Sequence, residues 1–273
     1  MTEKVPQSLD GISKTLLMTL YARALESQRH NGMLHDEKAV EMVNRLDCDF
    51  SRLVMQRHDQ IAVIMRMRKF DSHARNFMTR NPGAVVVHIG CGLDTRFERV
   101  DNHVVEWFDL DLPEVVELRQ KLLHSHNSRY HLLAASVHED AWMDVVERVK
   151  PRPVMFMAEG VLPYFTEEQV KSLVLKIFDR FAGAELVCDA HAPFVIWADN
   201  LQLLVSGVKA RLHWGLKQAS DLEKWADGIR LLDEWNYYED REPGLRFFQW
   251  AGKIPAIARS SGIYHYRLGT SFD

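Results

Sequence analysis

Long apolar runs are missing from this 273-residue chain: none approaches the roughly 18 residues that a membrane span requires. The first candidate, Thr15 to Leu20, is short and leads into charge, and the opening Met1 to Gln7 lacks the apolar segment of a secretory signal. Cysteine is scarce. Cys48, Cys91 and Cys188 are odd in number and far apart, so no disulfide framework or zinc cluster is expected, and a reducing cytoplasm is the natural setting. A basic excess is missing too: 34 Lys and Arg face 38 Asp and Glu, a net charge of −4, so no nucleic-acid partner is expected. The 13 histidines are scattered; neither His124 with His126 nor His265 beside its tyrosines has further ligands at a metal-site spacing, and no metal is expected. Internal repeats and low-complexity linkers are also lacking. What is there, 47% hydrophobic and 26% charged residues, suffices for one large α/β domain with additions.

Apolar spacing divides that single domain, 1–273, into parts. Residues 1–80 read as a helical extension, with helices over Ser13–Arg29, Asp36–Arg45 and Phe50–Met78, the last closed by Pro82-Gly83. Over 81–191, strand-like runs at Val85–Ile89, Val104–Leu110, Arg129–Ala134, Val154–Ala158 and Glu185–Asp189 alternate with helices starting at Pro113, Ala141 and Thr166. That alternation predicts a doubly wound, mostly parallel sheet. The segment 192–228 reads as an insertion of amphipathic helices. Its predicted apolar face is Trp197, Leu201, Leu204, Val208, Leu212, Leu216 and Trp225, which suits either a lid over a pocket or a packed extra layer. Two further strands, Leu231–Tyr238 and Ile263–Leu268, close the sheet over 229–273 as an antiparallel hairpin.

The chemistry concentrates in Val85-Val86-Val87-His88-Ile89-Gly90-Cys91-Gly92-Leu93-Asp94-Thr95-Arg96, followed by Trp107-Phe108-Asp109-Leu110-Asp111. A β-branched run breaking into Gly-x-Gly, then a second strand ending in an acid, is how an α/β fold builds a nucleotide pocket. Asp111 stands about 20 positions past the glycines, the offset of a carboxylate that binds ribose hydroxyls; the alternative for it is an N-cap of the helix opening at Pro113. A dinucleotide loop wants a third small residue for a pyrophosphate, yet Thr95 occupies that position and Asp94 would repel the anion. An adenosine ligand with a cationic or zwitterionic tail suits the loop better, which points to S-adenosylmethionine.

Five ordered blocks carry a resemblance. Tyr21-Ala22-Arg23-Ala24-Leu25-Glu26-Ser27 with Gly32-Met33-Leu34-His35-Asp36, Arg66-Met67-Arg68-Lys69-Phe70-Asp71, the Gly90–Arg96 loop, Asp109-Leu110-Asp111-Leu112-Pro113-Glu114-Val115 and Ala158-Glu159-Gly160-Val161-Leu162-Pro163-Tyr164 resemble the leucine carboxyl methyltransferase family. The likeness is closer to its bacterial branch of tetracenomycin-type polyketide O-methyltransferases. It implies a Rossmann-like class I methyltransferase fold. It also implies roles: Gly90 and Gly92 against the methionyl part of the cofactor, Asp111 on the ribose, Arg66 (or Arg68, two positions on) pairing with the cofactor carboxylate, and Glu159 holding its ammonium group. Cys91, Asp94, Arg96, Leu112 and Gly160 complete the lining. Ser136 and Val137 would edge the adenine, although many members carry an aspartate at Ser136, so that Glu139, Asp140 or backbone takes over here.

The expected reaction passes a methyl group from the sulfonium of S-adenosylmethionine to an oxygen of a small molecule, leaving S-adenosylhomocysteine. A carboxylate acceptor is ionised at neutral pH, whereas a hydroxyl needs a base. Tyr164 and His191 are the candidate catalytic residues, and Arg23 either steers an acidic acceptor or forms a structural ion pair. A protein C-terminal carboxylate as acceptor, and a binding protein without transfer activity, are the alternatives. The sequence leaves the oligomeric state open.

Overall fold

The computed structural model describes residues 5–6, 12–53, 55–123, 127–149, 151–205, 210–238, 250 and 252–270. Seven strands form one sheet: β1 (Val85–Ile89), β2 (Glu106–Asp111), β3 (Tyr130–Ala134), β4 (Val154–Ala158), β5 (Ala184–His191), β6 (Ile229–Asn236) and β7 (Ser261–Leu268). Their order is β3-β2-β1-β4-β5-β7-β6. All neighbours pair in parallel except β7, which runs antiparallel to both β5 and β6. The chain winds outward from β1 to β3 and crosses back to β4. The order therefore reverses between β1 and β4, where open α/β sheets receive their ligands beyond the carboxyl ends of the strands.

β1 and β4 are buried at every position, which explains why both read as unbroken apolar runs: each face is covered. Val85, Val87, Ile89 and Phe156 pack toward helices α6 (Ala141–Glu147) and α7 (Glu167–Arg180). Val86, Met155 and Met157 point the other way, to Phe70, Ala74 and Phe77 of the long helix α3 (Arg57–Arg80). Each such side chain contributes about 1.5–3 kcal/mol on burial. Thr166 starts α7 with a reciprocal capping box to Gln169.

The extension differs in detail from the periodicity. α1 (Ile12–Ser27) and α2 (Glu37–Arg45) are in place, the latter capped by Asp36, which accepts from the Ala39 N–H at 2.9 Å. The third helix is shorter than expected because Asp49 caps a separate 3-10 turn at Phe50–Arg52, and α3 begins only at Arg57. Helix α4 (Arg96–Val100) leaves the glycine loop directly, and α5 (Pro113–Leu122) follows β2.

The insertion differs more. Among its described residues it holds one α-helix, α8 (Pro193–Val205), then an irregular run over 210–217 and a 3-10 helix at Ala219–Lys224. The His213 and Trp214 N–H groups both donate to Pro163 O, and Leu216 N–H donates to His191 O, so this backbone bonds to the sheet's loops rather than to its own preceding turn. Trp214 and Leu216 are buried as a result. Trp197, Leu201 and Leu204, expected on the packed face, are 69%, 51% and 75% exposed; Val208 lies outside the described residues, as do His124 and His126. Among the described residues, no helix is long and apolar enough to cross a membrane.

Candidate active site

The loop after β1 is built around two left-handed residues, Gly90 (φ +65°) and Gly92 (φ +52°). A Cβ on Gly90 would lie 2.3 Å from Val161 Cγ2, so glycine is required there for space as well as for conformation. Gly90 and Cys91 N–H both donate to Leu110 O, while Gly92 N–H donates to Asp111 Oδ2 at 2.7 Å. Leu112 N–H donates to the other carboxylate oxygen at 2.8 Å. The N-cap of α5 is Leu112, which has no side-chain cap bond, so Asp111 does not cap the helix. Its carboxylate bridges the ends of β1 and β2 and keeps lone pairs for further donors. Burial pushes the Asp111 carboxyl up, opposed by those two backbone bonds.

Glu159 and Gly160 follow β4 and meet Arg66 from α3. Arg66 Nε donates to Glu159 Oε1 and Nη1 to Asp189 Oδ2, each at 3.0 Å, and Asp189 Oδ1 accepts from Gly160 N–H at 2.7 Å. Arg68, the alternative to Arg66, instead reaches Met65 Sδ at 3.5 Å. The second oxygen of Glu159 accepts from Arg96 Nη2.

Arg96 is wholly enclosed. Its Nε donates to Asp71, Nη1 contacts His88 Nε2 at 3.0 Å, and Nη2 also lies 3.1 Å from Asp94. Burial works against the charged form of Asp94, but Arg96, Arg99 and Arg23 together outweigh it and hold the carboxyl well below the usual range. Arg96 and Asp94 therefore stand beneath the loop and shape it, with Arg96 reaching the lining only through Glu159. Arg23 is equally internal: 1% exposed, it donates to Asp36, Thr95 and Leu93 O. That is the placement of a structural ion pair. Asp109 is buried with Arg119, Tyr130 and Trp107 and faces inward.

On the remaining edges, Ser136 Oγ accepts from His138 N–H at 3.3 Å and Val137 O from Trp142 Nε1 at 3.1 Å, beside a cleft of about 320 Å³ that also involves Glu168 and Lys176. Tyr164 sits in the turn after β4 with its hydroxyl 3.5 Å from Thr15 Oγ1. His191 closes β5, Nδ1 lying 2.8 Å from Ser261 Oγ. Thus Arg66, Arg96, Asp94, Glu159 and Gly160 form one bonded group and Gly90, Cys91, Gly92, Asp111 and Leu112 another. Tyr164 and His191 stand apart from both and from each other. Asp189 and Asp71 were not singled out from the sequence, although Asp189 had a signal: an acid inside the otherwise apolar end of β5.

The family model described as leucine carboxyl methyltransferase matches residues 16–178, more than half of the chain. The chain belongs to the leucine carboxyl methyltransferase family. Among curated relatives, the tetracenomycin polyketide synthesis O-methyltransferase TcmP of Streptomyces glaucescens is 35% identical over 229 residues, covering 84% of each chain. The S-adenosyl-L-methionine-dependent methyltransferase dpfgK of Gibberella zeae is 32% identical over 247 residues, 84% of this chain and 83% of that one. This family member is accordingly an S-adenosylmethionine-dependent methyltransferase. Its fold is shared with a DUF574 family protein from Streptomyces avermitilis (TM-score 0.57, 13% identity, covering 93% of this chain and 96% of that one). Magnesium protoporphyrin IX methyltransferase from Synechocystis, solved with S-adenosylhomocysteine, gives a TM-score of 0.51 at 10% identity, covering 86% and 100%. The residues fit the cofactor: a glycine cradle that a Cβ would fill, a strand-end carboxylate with free lone pairs, and a guanidinium beside a carboxylate to match an amino-acid zwitterion.

Proposed function

We propose that this methyltransferase acts on an oxygen of a small molecule, a carboxylate or a hydroxyl, in secondary metabolism. The observation that carries the reading is the pairing of the Asp111–Gly92 bridge with the Arg66–Glu159 fork on either side of the switch point. When bound, S-adenosylmethionine supplies a methyl group on a sulfonium. Arg66 would hold its carboxylate and Glu159 its ammonium. Asp111 accepts the ribose hydroxyls, Gly90 and Gly92 admit the methionyl chain, and Ser136 and Val137 border the adenine. Asp189 keeps Arg66 and the Gly160 backbone in place. The name of TcmP, a polyketide synthesis O-methyltransferase, supports a small-molecule acceptor, as does the apolar character of α8. Within one domain spanning 1–273, α8 and the run to 217 serve as the cover on the acceptor side, with Tyr164 and His191 beneath it. Arg23 acts through Thr95 and Leu93, by fixing the loop.

Calorimetric titration with S-adenosylmethionine, S-adenosylhomocysteine and NAD tests the site. The two adenosyl-sulfur ligands bind and NAD does not. Asp111→Ala weakens both by about 3 kcal/mol, the worth of one to two hydrogen bonds to a charged group. Equal binding by the variant would remove Asp111 from the site. Methyl transfer to small aromatic acids and phenols, set against a peptide ending in a free carboxylate, tests the acceptor class; labelling of the peptide alone would overturn it.

A further inference from the structure

Helix α8 turns its apolar side outward. Ile196 is buried, and Val195, Asn200 and Leu203 are half-buried, which marks the side that meets the protein. Phe194, Trp197, Leu201, Leu204 and Val205 are each more than half exposed. At about 100° per residue, these five fall in an arc about 100° wide on the opposite side of the helix. A surface helix ordinarily gives such a stripe to the core, and a contiguous apolar patch left in water marks an interaction site. Positive charge borders the stripe. Asn200 adjoins Trp197 and Leu204, three and four positions away on the helix surface, and bonds Leu212 O and Leu212 N–H, each at 2.8 Å. A Cβ on Gly215 would lie 3.0 Å from Ile196 and 3.2 Å from Pro193 Cα, so the run from Leu212 follows α8 back to its first turn. Trp214 and Leu216 are buried along this run, whereas Arg211 and Lys217 are exposed. The sequence holds no Asp or Glu between Asp199 and Asp221, in a chain whose net charge is −4.

We propose that α8 docks on an anionic lipid surface, with Phe194, Trp197, Leu201, Leu204 and Val205 immersed at the headgroup boundary and Arg211 and Lys217 on the headgroups. Lying on a membrane takes an apolar stripe with a polar border, not the long apolar run that a span requires. Charge selects the kind of lipid. The chain as a whole is repelled by an anionic surface, so the acid-free border of α8 also fixes which side approaches, and each basic residue there adds about fivefold to the affinity. Trp197 suits the boundary, because an indole joins an apolar body to an N–H that stays at headgroup level. A second copy of the chain fits less well. Five side chains on one 13-residue helix fall far short of the roughly 20–30 residues a side that a stable interface buries. A projecting helix also needs a partner of matching shape, whereas a fluid surface has none to match. The inference goes beyond the reading of the acceptor and holds whichever oxygen is methylated.

The test is sedimentation of the full chain with vesicles of equal parts phosphatidylglycerol and phosphatidylcholine, set against vesicles of phosphatidylcholine alone. The chain sediments with the anionic vesicles, more weakly with the neutral ones, and high salt narrows the difference. Arg211→Glu and Lys217→Glu each weaken binding to the anionic vesicles at least fivefold, by about the worth of one basic residue, and leave binding to the neutral ones unchanged. The paired variant Trp197→Ser, Leu204→Ser weakens both about tenfold or more, while its urea midpoint shows that it is folded. Brominated lipid quenches part of the tryptophan fluorescence, and Trp197→Ser loses that part. No sedimentation with either vesicle, or quenching retained in Trp197→Ser, would overturn the proposal. So would a dimer in size-exclusion chromatography that the paired variant converts to a monomer, since the stripe would then belong to a second copy. Failure of the unmodified chain to bind S-adenosylmethionine would sink the functional reading and leave the vesicle result standing.

Discussion

The site has two walls made of different materials. On the cofactor side, Arg23, Arg96 and Arg99 interleave with Asp36, Asp71, Asp94 and Glu159, every side chain 10% exposed or less. On the side proposed for the acceptor, α8 carries Phe194, Trp197, Leu201, Leu204 and Val205 between 51% and 82% exposed, and it is tied down by Ile196 and the Asn200 clamp. Charge pairs need exact partners and low dielectric, so the first wall is preorganised before any ligand arrives. Apolar surface has no such directional demand, and the second wall is free to suit the shape of what it covers.

Breaking the first wall should have the largest effect. Arg96→Met leaves Asp71, Asp94 and Glu159 short of a buried partner, and removing one member of a buried ion pair costs about 3–5 kcal/mol. Urea unfolding of this variant measures it; a loss under 1 kcal/mol would mean that Arg99, for Asp71 and Asp94, and Arg66, for Glu159, suffice as partners. Acid attacks the same wall. Burial disfavours the ionised forms of Asp36, Asp94 and Asp109, but Arg23, Arg99, Arg96 and Arg119 outweigh it and hold all three carboxyls below their ordinary value. Folding therefore favours the charged forms. Their contribution is complete above about pH 5, where unfolded carboxylates are ionised, and is lost as pH falls through 4 and below. Urea midpoints taken from pH 7 to pH 3 should drop steeply in that lower window; a flat series would show that the network adds no net stability.

A smaller effect is expected at the loop that the first wall supports. Gly90→Ala meets two penalties, a left-handed φ worth about 1–2 kcal/mol and the 2.3 Å approach to Val161 Cγ2. Adding Val161→Ala should recover the steric part and leave the conformational part. A double variant no better than the single one would place the whole cost in the backbone.

The two walls were also unequally legible. β1, β4 and the strand-end residues Gly90, Gly92 and Asp111 could be read directly, because local apolar runs, glycine and acid specify them, whereas Glu159 came through the family resemblance. The internal position of Arg96 and Arg23 could not: each arginine's burial depends in part on distant partners, Asp71 for Arg96 at 25 positions and Thr95 for Arg23 at 72. Helical spacing misled in the insertion for a related reason. Residues 210–217 have apolar spacing compatible with a helix, but Pro163 O and His191 O offer their backbone better bonds, and Gly215 allows the approach, since a Cβ there would lie 2.8 Å from His191 O. Tertiary hydrogen bonding overrode the periodicity. Trp197, Leu201 and Leu204 then kept their helical stripe without acquiring a layer to bury it.

The smallest effect on stability should come from that stripe, and it is the sharpest test of the contrast. Trp197 is 69% exposed, so Trp197→Ser removes little area that folding had taken from water, and the unfolding free energy should move by no more than about 0.5 kcal/mol. If α8 covers the acceptor, the same substitution raises KM for an aromatic acceptor several-fold while S-adenosylmethionine binding and kcat stay near their original values. A stability loss of 2 kcal/mol or more would instead mean that the indole packs against protein in solution, and both walls would then be structural. An unchanged KM with unchanged stability would separate the stripe from catalysis altogether and confine the acceptor to the inner face of α8, where Ile196 is buried and Asn200 bonds to Leu212.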